Sequence, residues 1–83
     1  MDPAKYVIIE WQGHEVGIIF SHLIPHKKMG GGRARSAGFC GIHEGRIHTW
    51  GDSESLGTNG VPLASRPQDA KILNKLLDPF LET

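Results

Sequence analysis

Residues 5–20, KYVIIEWQGHEVGIIF, hold two runs of β-branched and aromatic side chains, 5–11 and 16–20. They flank the polar interruption Gln12-Gly13-His14-Glu15, the pattern of a β-hairpin. Both runs are apolar at nearly every position. A strand with one wet face would alternate, so these strands are expected to be covered on both faces, or on one face by the subunit and on the other by a partner.

Working outward, residues 21–28 contain Pro25, which limits any helix there to a turn, and Gly30-Gly31-Gly32 then reads as a loop. Residues 36–42 and 46–50 predict a second hairpin around His43-Glu44-Gly45. Ile47 and Thr49 fall on one face of its second strand, and Arg46, His48 and Trp50 on the other. Residues 52–64 carry Gly57, Asn59, Gly60 and Pro62 among hydroxyl side chains and read as a long loop. Ser65-Arg66-Pro67-Gln68 reads as a helix start, with Ser65 as N-cap, Gln68 as the reciprocal cap and Pro67 in the first turn. Ala70, Ile72, Leu73, Leu76, Leu77, Phe80 and Leu81 then recur at helical spacing, with Lys71, Asn74 and Lys75 on the outside and Pro79 ending the helix near Asp78. The expected fold is α+β: a small antiparallel sheet of about four strands, built from two hairpins, with one C-terminal helix packed on one face, and residues 1–83 forming a single domain. One helix covers one sheet face, so a homodimer or higher homo-oligomer is expected to cover the other.

Composition narrows the function. With 83 residues the chain cannot hold a large catalytic barrel or doubly wound domain. A single cysteine, Cys40, excludes an internal disulfide and fits a reducing compartment, so a cytoplasmic location is expected. The apolar runs fall far short of the ~20 residues that span a bilayer, and the Met1-Asp2-Pro3 start predicts no secretory signal, so no membrane role is expected. Nine Lys and Arg balance nine Asp and Glu, but unevenly along the chain. Residues 22–48 hold five cations (Lys27, Lys28, Arg33, Arg35, Arg46) against Glu44, a net of +4, and four of the five histidines. The middle of the chain is therefore the part that seeks anions.

Several motifs resemble chemistry they do not complete. His22 and His26 have the spacing of paired metal ligands on a helix, but Pro25 lies between them, and Cys40, His43 and His48 match no standard zinc pattern. No metal site and no cofactor are expected. Gly51-Asp52-Ser53 is shared with some serine hydrolases, yet the chain has no G-x-S-x-G elbow and no room for a supporting triad, so no catalytic residue is assigned. The best candidates bind. The glycine loop lets backbone approach a ligand while Arg33 and Arg35 bond phosphate or carboxylate oxygens bidentately. Arg46 and His48 would add charge, Trp50 a stacking surface, Ser53 and Ser55 hydroxyls, and Arg66 a cation at a helix start where free N–H groups already favour anions. Zero net charge and the absence of a basic recognition helix argue against duplex nucleic acid.

Three segments, Ser36-Ala37-Gly38-Phe39, residues 51–57 (GDSESLG) and residues 65–70 (SRPQDA), resemble small accessory proteins encoded by tailed phages and prophages. They cover 17 of the 83 residues, and residues 58–64 stand where that group runs almost directly from Ser-Leu-Gly into Ser-Arg-Pro. The resemblance implies a phage-type protein that acts by binding, as many that blunt host defences do, and carries over no catalytic residue. Two functions follow as expectations. One is an oligomer that sequesters a small phosphate-bearing, nucleotide-like ligand such as a host defence signal. The other is an anti-defence inhibitor or adaptor that binds a host protein through an apolar sheet face or a strand edge.

Overall fold

Three tight turns of one geometry organise the chain. In the computed structural model, which describes residues 3–77, Gln12-Gly13, Glu44-Gly45 and Asn59-Gly60 each have positive φ at both positions. That is the type I′ turn, whose twist matches that of paired strands and whose second position is most easily filled by glycine. The first turn joins β1 (Ala4–Trp11) to β2 (His14–Phe20), and the second joins β3 (Ala34–His43) to β4 (Arg46–Trp50). All pairings are antiparallel, and the four strands form one sheet in the order β2-β1-β3-β4. The two predicted hairpins and the α+β class are therefore present.

The third turn corrects the reading of residues 52–64 as a loop. They form a second, two-stranded sheet, β5 (Asp52–Thr58) and β6 (Val61–Ala64), with a register irregularity between Ser53 and Thr58. Leu56 and Leu63 of this hairpin pack with Val7, Phe20 and Ala37 on one face of the main sheet. On the opposite face Tyr6, Ile8, Cys40 and Ile47 pack with Leu73 of the C-terminal helix α1 (Asp69–Asn74), which continues as a 3₁₀ turn over Lys75–Leu77. The consecutive residues Tyr6, Val7 and Ile8 are all buried, so β1 is covered on both faces, as its apolar run demands. The chain covers both faces itself, and this removes the argument that an open sheet face requires a partner.

The helix starts later than predicted. Pro67 precedes it instead of occupying its first turn, and neither Ser65 nor Gln68 caps it through a side chain. The carboxylate of Asp69 stabilises this entry instead, accepting hydrogen bonds from the backbone N–H of Arg66 (2.9 Å), from Arg66 Nε (3.1 Å) and from the Tyr6 hydroxyl (2.6 Å). Of the predicted helix core, Leu73 is fully buried, Ile72 and Leu77 pack at the edge of the cluster, and Leu76 is exposed. Asp78, Pro79, Phe80 and Leu81 lie outside the described residues. Among the described residues no helix is long and apolar enough to cross a membrane.

Candidate functional site

The eight predicted binding residues fall in five separate places. Arg33 and Arg35 lie beside the β1–β2 turn, Arg33 ending a 3₁₀ turn over Gly31–Arg33 and Arg35 near the start of β3. Arg33 stacks its guanidinium over the Trp11 ring, 5.0 Å from the centroid, and Arg35 donates through Nε (3.0 Å) and Nη2 to Glu10 Oε2. Glu10 thus neutralises one of the two arginines on which the glycine-loop reading rested.

Arg66 is occupied more fully. Its two terminal nitrogens bond both oxygens of Glu15 (3.0 and 3.2 Å), while Nε bonds Asp69. Burial opposes its charge, but the bonds to Glu15 and Asp69 outweigh this and push the guanidinium further up. With both carboxylates in place, Arg66 ties β2 to the start of α1, a structural role in place of the predicted anion contact.

Ser53 and Ser55 lie on β5, in a cleft of about 430 Å³ that Lys5, His26, Asp52 and Glu54 also line. Ser53 is buried, accepts a hydrogen bond from the Leu56 N–H (3.3 Å) and lies 3.3 Å from the Ser55 hydroxyl, so its polar atom is spent on the β5 irregularity. Lys5 Nζ donates to the Ile24 carbonyl (3.1 Å). One tethered cation beside two carboxylates does not favour an anion. Buried His26 donates from Nε2 to the Gly38 carbonyl (2.8 Å) and sits edge-on between the rings of Phe20 and Phe39, which accounts for it as a packing residue.

Arg46 and His48 do come together, and with residues assigned only to the outside of the helix. Both residues alternate along β4 with Ile47, whose side chain faces α1, and they line the rim of a groove of about 510 Å³ at the β4 edge whose other wall is α1, with Lys71, Asn74 and Lys75 on that wall. Asn74 holds the walls in place: its Oδ1 accepts from the Ile47 N–H (2.9 Å), and its Nδ2 donates to the carbonyls of Ile47 (3.0 Å) and Ala70 (2.7 Å). No carboxylate lines this groove, and among the described residues Arg46, Lys71 and Lys75 form no ion pair. His48 meets His43 edge to face, with centroids 5.9 Å apart. Trp50 lies on the same strand but next to Gly41, outside the groove lining.

Lys71 and Lys75 were the residues that sequence reasoning missed. Their i, i+4 spacing puts them on one helical face, but only the packing of α1 beside β4 brings that face to the groove that Arg46 and His48 also line. Cys40 points to the helix side of the sheet, where burial pushes its thiol up, so it cannot join His43 and His48. Among the described residues no three His, Cys, Asp or Glu side chains converge on a metal-sized point. Comparison of the chain with protein-family models, curated proteins and solved structures finds no match.

Proposed function

We propose that this is a non-enzymatic binding protein of the phage accessory type. It sequesters a small phosphate-bearing, nucleotide-like ligand, such as a host defence signal, as a homo-oligomer in the cytoplasm. One observation carries the reading: Arg46, Lys71 and Lys75, three cations without a carboxylate partner among the described residues, line the same groove beside His48. Cations gathered around one groove repel, and a bound anion relieves that repulsion while accepting hydrogen bonds from them. The arginines that would compete for this role, Arg35 and Arg66, already have carboxylate partners. Binding here needs no nucleophile and no general base, and sequestration needs no turnover. The resemblance of the 36–39, 51–57 and 65–70 segments to phage accessory proteins favours the same kind of role.

Calorimetric titration with adenosine diphosphate and with inorganic phosphate tests the reading. Arg46→Ala and Lys71→Ala are each expected to weaken nucleotide binding about tenfold while leaving the melting temperature nearly unchanged, because both side chains are exposed. Arg33→Ala is expected to leave affinity within about twofold, since its guanidinium stacks on Trp11 away from the groove. Equal affinity of the Arg46 and Lys71 variants and the parent protein contradicts the proposal. Loss of binding in the Arg33 variant alone would move the site to the glycine loop.

A further inference from the structure

The two edges of the main sheet are treated differently. At the β4 edge the side-chain amide of Asn74 takes the place of a neighbouring strand, satisfying both backbone groups of Ile47. At the β2 edge nothing comparable occurs. The two-residue turn makes Trp11 and His14 a hydrogen-bonded pair, so His14, Val16, Ile18 and Phe20 direct their backbone groups to β1. Glu15, Gly17 and Ile19 direct theirs outward, and among the described residues those groups have no partner. Of the usual protections of an edge, the one charge on β2, Glu15, is bound by Arg66, and the others are absent. Residues 14–20 contain no Lys and no Pro, and their pairing with β1 runs without a bulge.

We propose that the β2 edge pairs with β2 of a second copy of this chain, antiparallel, about a two-fold axis through Gly17. The inference rests on the self-association already proposed and assigns it a surface. The outward groups select this register. With Gly17 opposite Gly17 of the second copy, Glu15 lies opposite Ile19 and Ile19 opposite Glu15, so every outward donor meets an outward acceptor. Val16 falls opposite Ile18 in the closer, non-hydrogen-bonded pairs, burying the half-exposed Val16 against an apolar neighbour. Charge fits too. The two Glu15 carboxylates lie four residues apart along the ladder, about 14 Å at ~3.4 Å per residue, beyond the ~8–10 Å over which exposed charges act in physiological salt. A lysine-rich or shifted edge would not be self-complementary in this way.

The test uses the full chain and its register. Light scattering of the parent protein is expected to give a dimer or a larger even-numbered assembly. Val16→Cys protein co-expressed with Ile18→Cys protein is expected to cross-link on oxidation, because these positions face each other across the axis, while neither variant alone cross-links; buried Cys40 leaves the assay silent. Ile19→Glu, which opposes the Glu15 of the second copy, is expected to weaken the dimer about tenfold, and Ile19→Lys to preserve it. A monomeric mass at high concentration overturns both the self-association and this surface. A dimer that cross-links in neither arrangement, or tolerates Ile19→Glu as well as Ile19→Lys, overturns the β2 register alone and leaves the self-association standing. Ligand binding in the Arg46 groove is read separately and moves with neither outcome.

Discussion

Tyr6 is the only tyrosine in the chain, and its hydroxyl donates to the fully buried carboxylate of Asp69. Burial first, and then the bond and charge of Asp69, push the Tyr6 phenol well above its ordinary value of 10.0. The consequence for stability has a definite sign. Above the ordinary phenol value the unfolded chain releases this proton and the folded chain retains it, so the contribution is fully present below about pH 10 and is lost as pH rises beyond it. With one tyrosine the test is clean: titration followed by phenolate absorbance is expected to show no ionisation step near pH 10 while the protein remains folded. The signal should instead rise together with loss of the circular-dichroism spectrum. A free titration near pH 10 in folded protein would remove the Tyr6–Asp69 bond from the account. Asp69 also organises Arg66, and through Arg66 it reaches Glu15, so one buried carboxylate links β1, β2 and the entry to α1.

Among the elements, α1 is the one whose contacts exceed its length. Six residues of α-helix are too few to persist alone, so α1 depends on Leu73 against the sheet and on Asn74 against the β4 edge. Asn74→Ala removes three hydrogen bonds and leaves the backbone groups of Ile47 unpaired; it is expected to cost about 1–3 kcal/mol and to expose a strand edge. Chemical denaturation should show the loss of stability, and light scattering on warming should show earlier aggregation than in the parent. An unchanged midpoint would mean that the amide does not serve as an edge cap.

Legibility in the sequence follows the same divide between local and distant causes. The first four strands and the helix could be read because their apolar runs and X-Gly turns are local signals. The β5–β6 hairpin was hidden because Asp52, Ser53, Glu54 and Ser55 give it little hydropathy and its register is irregular, although Asn59-Gly60 is the strongest short turn signal in the chain. Ser65 looked like a helix cap because its spacing to Gln68 is right; that Asp69 is fixed by Tyr6, 63 positions away, has no local trace. For the binding site the limit was the same. Arg46 and His48 could be named from strand alternation, but their meeting with Lys71 and Lys75, and the neutralising of Arg35 and Arg66 by Glu10 and Glu15, depend on tertiary contacts.

At the scale of the whole molecule, zero net charge conceals a division of labour. Carboxylates are spent where arginines hold the fold together, as Glu10 is with Arg35 and Glu15 and Asp69 are with Arg66. Among the described residues three cations remain without such partners beside the groove between β4 and α1, and there the molecule can offer net positive charge to a ligand. The open β2 edge lies at the other end of the strand order, so pairing of two copies through β2 leaves each Arg46 groove on an outer β4 edge. A dimer of this kind would carry two independent anion sites. The most direct test of the central claim is backbone-amide NMR of labelled protein titrated with adenosine diphosphate. The account predicts saturable shifts concentrated at Arg46, Ile47, His48, Lys71, Asn74 and Lys75. Shifts confined to Gly32, Arg33 and Arg35, or none with any nucleotide up to millimolar concentration, would contradict it.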